Sequence, residues 1–488
     1  MQNLRKRDAS YIDKSLAVNK AKRIWTDLLD KFHKSGIPLE FNFKNNVKDL
    51  FQDRYANCGS HYIHSYPGKI FPYIPAFLLS IPHLCPADGV ILDPFCGSGT
   101  ILLESITHPL YKRNAYGVEI NPLGRLISKV KTTPLNQDEI SRRFEELLHR
   151  LKSNKMRRFD IQYFDNIDYW FSPRSIRRLS NLKANIDSLK NDDYKDFFYV
   201  CFSSIIRKVS NADPFIPPPV KLCLKKYKKS PEKHKFLRNH LINVNKSNIE
   251  KLFKAAILEK KTKLLNFNKA DERINKPAVA RIIWDDAKSI KRGRLGLNGR
   301  LDKKHSHIMR KNSIDLIFTS PPYLTAQKYI RAQKLEIQWL NMLDHQKMCN
   351  LQREIIGAER VSLTRTNFKV SFGVESIDSL VQWANSISRE RVATIISYFE
   401  DMKKALQEMH RVLKKNAFCV IVVGNNHVLG RYIETYKLLC DLAVHIGFNL
   451  EIILKDMIRG RGMITKRHNS GGLIKEEYVI ILKKRAEE

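Results

Sequence analysis

Cysteine is scarce in this sequence of 488 residues: its eight cysteines are scattered and include no C-x-x-C pair. This spacing argues against a zinc site and a disulfide framework, and it favours a reducing compartment. No apolar run reaches the roughly 18 residues that a membrane-spanning helix needs, and the first ten residues lack the apolar stretch of a secretory signal. We therefore expect a cytoplasmic protein with no membrane segment and no bound metal.

Acidic residues are also few, since 50 Asp and Glu stand against 86 Lys and Arg, a formal net charge of +36. So large an excess fits a partner with a dense negative surface, and nucleic acid is the first candidate. Hydrophobic residues make up 43% of the chain, so it can bury a large core. We expect one large domain with insertions, or two to three domains.

One short run, residues 314–323 with the sequence IDLIFTSPPY, combines a strand pattern with a turn. Its first half is apolar and rich in β-forming residues, which indicates a buried strand. Pro321 and Pro322 cannot extend a sheet ladder, so the chain turns at the carboxyl end of the strand, where open α/β sheets bind ligands. Ser320 and the Pro321 carbonyl would accept the protons of an exocyclic amine, and Tyr323 would stack on its planar base. An ordinary surface turn is the alternative.

A second run, residues 89–104 with the sequence GVILDPFCGSGTILLE, predicts a short strand, Asp93, a glycine turn and a helix. This order is typical of the nucleotide-binding start of a Rossmann-like sheet. The spacing is not G-x-G-x-x-G and no lysine follows the glycines, so neither a dinucleotide fingerprint nor a P-loop fits. A second strand ends about 20 residues later at Glu119, where such sheets place the acid that binds both ribose hydroxyls. A helix-capping role for Glu119 is the alternative.

The pair DPFCGSGT and TSPPY resembles the amino-methyltransferases that use S-adenosylmethionine and modify exocyclic amines in nucleic acid. The form S-P-P-Y is most similar to the DNA cytosine-N4 methyltransferases, whereas adenine-N6 and RNA guanine-N2 enzymes more often show D-P-P-Y or N-P-P-Y. The cofactor motif comes first here, while many cytosine-N4 enzymes have the reverse order. Cytosine carbon-5 enzymes use a cysteine, usually in a Pro-Cys dipeptide, which this chain lacks.

The resemblance covers roughly residues 61–130, 280–340 and 396–485, and it implies an α/β fold: a Rossmann-like, seven-stranded methyltransferase sheet with a large helical, basic insertion. It implies catalytic roles for Ser320, Pro321, Pro322 and Tyr323. The cofactor-binding residues that it implies, together with the Rossmann-like pattern, are Lys69, Asp93, Pro94, Phe95, Gly97, Gly99, Thr100, Glu119, Ile120, Asp286 and Ala287, with Asp285 the alternative to Asp286. We expect His61 and His64 to be ordinary hydrogen-bonded side chains.

We divide the chain into six segments: an N-terminal arm (1–57), the cofactor-binding half of the methyltransferase domain (58–133), a helical basic insertion (134–279), the catalytic half (280–340), a second insertion that is a candidate for target recognition (341–395), and the C-terminal part of the sheet (396–488). The first insertion shows helical patterns and contains residues 221–276, with 17 Lys and Arg against 5 Asp and Glu. This stretch is suited to a phosphate backbone, and a solvated face or a loop is the alternative. A second basic stretch, residues 288–311, precedes the catalytic strand.

The sequence thus predicts a site-specific DNA methyltransferase that moves a methyl group from S-adenosylmethionine to cytosine N4 after base flipping. Double-stranded DNA is the expected partner, and the resemblance leaves open a cognate restriction endonuclease or another defence-system partner. One alternative is the same chemistry on adenine N6 of DNA or on an amine of RNA. Another is a catalytically silent nucleic-acid-binding protein on this scaffold.

Overall fold

The structure, a computed structural model, describes residues 13–51, 59–153, 164–271, 278–324, 329–358, 361–458 and 475–486. Its strands are β1 (Leu39–Glu40), β2 (Ile91–Asp93), β3 (Ala115–Val118), β4 (Ala280–Trp284), β5 (Lys291–Leu295), β6 (Leu301–Ile308), β7 (Ile314–Thr319), β8 (Leu413–Gly424), β9 (Asn426–Val428), β10 (Arg431–Ile433), β11 (Phe448–Met457) and β12 (Glu476–Lys484).

Its helices are α1 (Lys14–Ser35), α2 (Phe43–Phe51), α3 (Tyr73–Leu78), α4 (Thr100–Thr107), α5 (Pro122–Thr132), α6 (Gln137–Ser153), α7 (Ile167–Trp170), α8 (Pro173–Asp187), α9 (Asp193–Ile206), α10 (Pro231–Lys246), α11 (Ile249–Asp271), α12 (Tyr329–Ala332), α13 (Lys334–Trp339), α14 (His345–Glu354), α15 (Glu375–Asn385), α16 (Arg389–Val412) and α17 (Thr435–Ile446). None of these helices is both long and apolar enough to cross a membrane.

A central sheet organises the α/β fold, with the strand order β1-β11-β12-β8-β7-β2-β3-β4. Strands β4, β3, β2, β7 and β8 are mutually parallel, whereas β12 runs antiparallel to both of its neighbours, β8 and β11. Seven of the eight strands fall in the regions that the sequence predicts for the sheet. The eighth, β1, comes from the N-terminal arm and pairs with the edge strand β11.

The functional edge of the sheet follows from this strand order. From β2 the chain adds β3 and β4 on one side of the sheet, and it then returns to add β7 and β8 on the other side. The order of strand addition therefore reverses at the β2–β7 boundary, which makes it a topological switch point. Ligands of open α/β sheets bind outside the carboxyl ends of the strands at such a point. Both sequence motifs reach it, because Asp93 ends β2 and Thr319 ends β7.

Two hydrophobic cores support the sheet. The first packs the sheet against helices such as α16, and in β7 the side chains of Ile314, Leu316, Ile317 and Phe318 are fully buried. The second joins α5 and α13 to the insertion helices α6, α8, α9 and α11. Because the insertion shares a core with helices beside the site, it forms a layer of the same body and not a separate appendage.

The stretch 288–311 is more ordered than its composition indicates, because it forms the antiparallel hairpin of β5 and β6. The hairpin tip packs on the start of α5, where a Cβ on Gly299 would lie 2.2 Å from the Pro122 carbonyl oxygen. Asn298 donates its backbone N–H to Asp196 on α9 at 2.8 Å and its side-chain amide to the Leu340 carbonyl at 2.7 Å. The hairpin therefore links the sheet side to the insertion.

Candidate active site

Asp93 connects the two motifs at the switch point. Its Oδ1 accepts hydrogen bonds from the Thr319 hydroxyl at 2.6 Å and from the Phe95 backbone N–H at 3.1 Å. The side chain is only 2% exposed, and this burial raises the pKa of Asp93 to about 7 in spite of both hydrogen bonds. One carboxyl group thus ties the glycine loop to the strand that carries the Ser-Pro-Pro-Tyr turn.

The glycine loop turns tightly between β2 and α4. Gly97 and Gly99 have φ values of 52° and 74°, in the left-handed region that glycine adopts readily. A Cβ on Gly99 would lie 2.1 Å from the Ser128 hydroxyl oxygen and 3.2 Å from its Cα. Gly99 therefore permits the close packing of the loop on α5.

Glu119 lies at the end of the neighbouring strand β3 and faces this loop. Its two carboxylate oxygens accept the backbone N–H groups of Gly97 and Asn121, each at 2.7 Å. Burial raises the pKa of Glu119, and both hydrogen bonds oppose the shift. Arg125 fixes the backbone here by donating to the carbonyls of Glu119 at 2.8 Å and Ile120 at 2.9 Å.

Two adjacent cavities lie against these residues and share Tyr66, Gly68, Phe95, Gly97 and Ser320 in their walls. The larger, about 730 Å³ including space open to solvent, has among its lining residues the predicted Pro94, Phe95, Gly97, Glu119, Ile120, Asp286, Ala287, Ser320 and Pro322. The smaller, about 300 Å³, has among its lining residues the predicted Lys69, Asp93, Phe95, Gly97, Thr100 and Ser320. The structure thus gathers most predicted site residues around one hollow.

Three predicted residues line neither cavity. Gly99 packs on α5 as described above, and Pro321 and Tyr323 are buried within the turn after β7. The Tyr323 hydroxyl donates a hydrogen bond to Glu477 Oε1 on β12 at 3.1 Å. The residue Glu477 is partly exposed, but the protein around its carboxylate excludes water, and this desolvation raises the pKa of Glu477 to about 7.

The Ser-Pro-Pro-Tyr turn is also held through its backbone. The Tyr398 hydroxyl on α16 donates to the Pro322 carbonyl at 3.1 Å, and the Asn426 side-chain amide donates to the Leu324 carbonyl. Within the described residues the Pro321 carbonyl has no hydrogen-bond partner. The turn is therefore fixed through two carbonyls that follow Pro321, while the Pro321 carbonyl keeps its full acceptor capacity.

Lys69 points its ammonium group at the backbone of its own segment. Its Nζ donates to the carbonyls of His61 at 3.0 Å and His64 at 2.6 Å, which leaves one of three protons for a ligand in the smaller cavity. Burial, with a smaller effect of Lys263, lowers the pKa of Lys69 to about 8. His61 and His64 are themselves buried, and each makes a side-chain hydrogen bond, to Glu104 at 2.5 Å and to Ser203 at 2.9 Å.

The two aspartates after β4 both line the larger cavity but differ in their partners. Asp285 forms an ion pair with Lys303 of the β5–β6 hairpin at 2.7 Å. Asp286 accepts a local hydrogen bond at Oδ1, from the Lys288 backbone N–H at 2.9 Å. Among the described residues, the side chain of Asp286 is therefore the one of the two that no cation holds.

Sequence reasoning missed Tyr66, which lines both cavities and accepts a hydrogen bond from the Asn121 amide at 3.4 Å. It also missed that Asn121 donates to Gln333 at 2.7 Å, which joins the end of β3 to the segment after the catalytic turn. Tyr329, at the start of α12, also lines the larger cavity. The clustered aromatics of residues 61–77 were the available signal for Tyr66.

No protein-family model matches the chain, and two curated proteins are similar to it in sequence. The chain is 26% identical over 450 residues to the type II methyltransferase M.MvaI of Kocuria varians, which covers 87% of this chain and 91% of that protein. It is 24% identical over 212 residues to the type II methyltransferase M.MjaII of Methanocaldococcus jannaschii, covering 42% of this chain and 38% of that protein.

Among solved structures, the rRNA methyltransferase AviRa of Streptomyces viridochromogenes aligns over 86% of this chain and 88% of its own, with 10% identity and a TM-score of 0.27. A likeness this weak carries no argument. The similarity to M.MvaI spans nearly the whole of both chains.

Proposed function

We propose that this protein transfers a methyl group from S-adenosylmethionine to the exocyclic N4 amine of cytosine in a specific DNA sequence, by base flipping and direct transfer. The observation that carries the proposal is the position of Ser320, which lines both cavities beside a glycine loop that Asp93 ties to the same turn. The similarity to type II methyltransferases supports methyl transfer, and the choice of cytosine N4 rests on the resemblance of the Ser-Pro-Pro-Tyr motif.

The donor groups around the two cavities fit S-adenosylmethionine, which supplies an electrophilic methyl group on a sulfonium. Each oxygen of Glu119 accepts a single backbone N–H and so retains capacity for a ribose hydroxyl. Asp286 offers a carboxylate oxygen to the adenine amine, and Lys69 has one proton left for a carboxylate. Gly97 leaves the loop backbone open to close approach.

The catalytic turn supplies acceptors for the target amine. The amine is a poor nucleophile because its lone pair is conjugated with the ring. In this proposal the Pro321 carbonyl and the Ser320 hydroxyl oxygen accept hydrogen bonds from its two N–H groups, which shifts the nitrogen toward sp³ geometry and frees the lone pair for attack. The N–C bond to the methyl group would form as the S–C bond breaks, the thioether product would leave, and one proton of the methylated nitrogen would pass to solvent. Positioning and electrostatics then supply the rate enhancement without a covalent enzyme intermediate.

In this proposal the flipped base stacks on Tyr323, although the residue is only 9% exposed without a ligand, and its hydrogen-bond partners keep the ring in place. We assign Glu477 and Tyr398 as positioning residues, since one holds the Tyr323 hydroxyl and the other the adjacent Pro322 carbonyl. Both act from elements far along the chain, so they set the orientation of the turn from outside it.

The charge of +36 supports DNA as the substrate. We place the activity in the cytoplasm. The proposed partner is a restriction endonuclease or another defence-system protein that recognises the same sequence, and the methylation would protect DNA from it.

Variants that affect turnover and cofactor binding separately test the roles assigned to the turn and to the cofactor-binding residues. With labelled S-adenosylmethionine and duplex DNA, Tyr323→Ala should lower kcat by at least about tenfold, the order of one lost base–aromatic stack, with cofactor Kd within about twofold of wild type. Asp286→Ala should instead raise cofactor Kd. Tyr62→Ala, at a side chain that is 63% exposed, is the control. Wild-type turnover in Tyr323→Ala would contradict the stacking role.

A further inference from the structure

A densely basic stretch follows α9, and its cations have no acidic partners. Residues 221–238 contain eight Lys and Arg and one acidic residue, Glu232. All eight basic side chains are exposed, and none of them forms an ion pair with an acidic side chain in the part of the chain that the structure describes. Exposed charges without acidic partners contribute little to folding, although Lys221 lies over the Tyr169 ring at 4.4 Å, so their concentration here calls for an external counter-charge.

Aromatic side chains are exposed among these cations. Phe215 and Phe236 are 39% and 54% exposed, and their ring centroids lie 5.6 Å apart. The ring of Tyr227 lies 6.2 Å from that of Phe215, and the Lys233 ammonium lies 5.9 Å from the Phe215 centroid. We call Phe215, Tyr227, Phe236 and the eight basic residues of 221–238 the lysine–aromatic face.

The loop that carries Phe215 is rigidly held. The guanidinium of Arg207 donates to the carbonyls of Asp213, at 3.0 Å, Ile216 and Pro217. The Asp213 carboxylate accepts the Phe215 backbone N–H at 2.9 Å and the Tyr227 hydroxyl at 2.6 Å. Ordering these residues in advance lowers the entropic cost of binding a partner.

Helix α10, which carries three of the eight cations, is lightly anchored, since only Leu237 and Val244 among its side chains are buried. Its lysines are therefore not needed for the core. Helix α9, which precedes the face in the chain, contacts the segment beside the candidate active site, because its Ser203 hydrogen-bonds His64, whose carbonyl holds Lys69.

We propose that the lysine–aromatic face binds the phosphate backbone of duplex DNA beside the target base, with Phe215 and Phe236 packing against the sugars or base edges. Its residues are of the types that bind DNA, because cations without acidic partners attract phosphates and exposed rings stack on bases. The proposal rests on the proposed function for the identity of the substrate. The face supplies affinity that does not depend on the sequence, while base recognition lies elsewhere.

A matched pair of variants tests this surface in the full-length protein. The first is Lys225→Gln, Lys226→Gln, Lys228→Gln and Lys229→Gln together. The control removes four exposed basic residues of α1, namely Lys14→Gln, Lys22→Gln, Arg23→Gln and Lys34→Gln. Both lower the net charge by four, so long-range attraction changes equally. The affinity for a fluorescent 30-bp duplex is measured by anisotropy at several salt concentrations.

We expect the face variant to reduce the slope of log Kd against log salt by about 3 to 4, near 0.9 for each lost phosphate contact, and to weaken binding at 0.15 M salt at least about tenfold. The control should keep the wild-type slope. Phe236→Ala should weaken binding several-fold at an unchanged slope, unlike Leu16→Ala, which truncates a 67% exposed apolar side chain on α1.

The outcomes separate the two proposals. If the wild type binds duplex DNA and both charge variants lose slope equally, net charge alone explains binding and the face is overturned. If the face variant keeps the wild-type slope, the face does not contact phosphates and the proposal is likewise overturned. If the wild type binds no duplex DNA but binds the cofactor, the proposed DNA substrate fails and this surface fails with it.

Discussion

The hydrogen bond between Tyr323 and Glu477 should matter to turnover although neither residue lines the two cavities. A hydrogen bond of this kind contributes about 0.5–1.5 kcal/mol net, and we use this ordinary range because Glu477 is partly exposed. If the bond orients the ring for the reacting complex, its loss lowers kcat about three- to tenfold. Tyr323→Phe should show that loss while keeping the ring and the cofactor Kd, and because the bond is also present without a ligand, the free energy of unfolding should fall by no more than about 1.5 kcal/mol.

Variants at Glu477 complete a double-mutant cycle. Glu477→Leu removes the acceptor and should match Tyr323→Phe, whereas Glu477→Gln keeps a side-chain oxygen and should stay within about threefold of wild type. Because both single changes break the same contact, the combined Tyr323→Phe, Glu477→Leu protein should lose little more than either one. Single-turnover rates at saturating cofactor and DNA are the assay. Additive losses, or a wild-type rate for Tyr323→Phe, would refute the positioning role.

Two further predictions concern the glycine loop. Burial raises the pKa of Asp93 from 3.8 to about 7, so between these pH values the folded state holds a proton that the unfolded state releases, and stability is lost as pH rises through that window. Asp93→Asn should be more stable than the wild type at pH 8 by up to about 4 kcal/mol, and this gain should vanish near pH 4. Urea titrations at several pH values measure the difference, and a difference that stays constant with pH would contradict the shift. Gly99→Ala should lower the free energy of unfolding by more than the roughly 1–2 kcal/mol that a left-handed alanine costs, because its Cβ would meet Ser128. The control is Gly430→Ala, which has a similar φ of 81° and no atom within 4 Å of the added Cβ, and therefore carries the conformational cost alone. Equal losses of stability in the two variants would show that a small shift relieves the contact with Ser128.

The sheet could be predicted because its strands are short apolar runs next to recognisable motifs. Residues 314–318, 418–423 and 478–482 are almost entirely apolar, as strands buried on both faces require, and they correspond to β7, β8 and β12. The helical periodicities at residues 138–151, 175–189 and 193–209 likewise correspond to α6, α8 and α9.

The elements that the sequence did not predict depend on tertiary contacts. Strand β1 has only two residues, Leu39 and Glu40, and exists because β11 offers an edge. The β5–β6 hairpin is rich in Lys and Arg, and it folds because its tip docks on α5 and α9. Glu477 lies 154 positions from Tyr323, so no local pattern could have identified their contact.

The identity of the methylated nucleoside tests the central claim most directly. Purified protein is incubated with S-adenosylmethionine and mixed-sequence duplex DNA, and the DNA is digested to nucleosides for mass analysis. The account predicts N4-methylcytosine, absent with Tyr323→Ala. N6-methyladenine would keep the chemistry of the turn and contradict the assigned base. A protein that binds the cofactor but leaves no methylated nucleoside in DNA would contradict the proposed substrate.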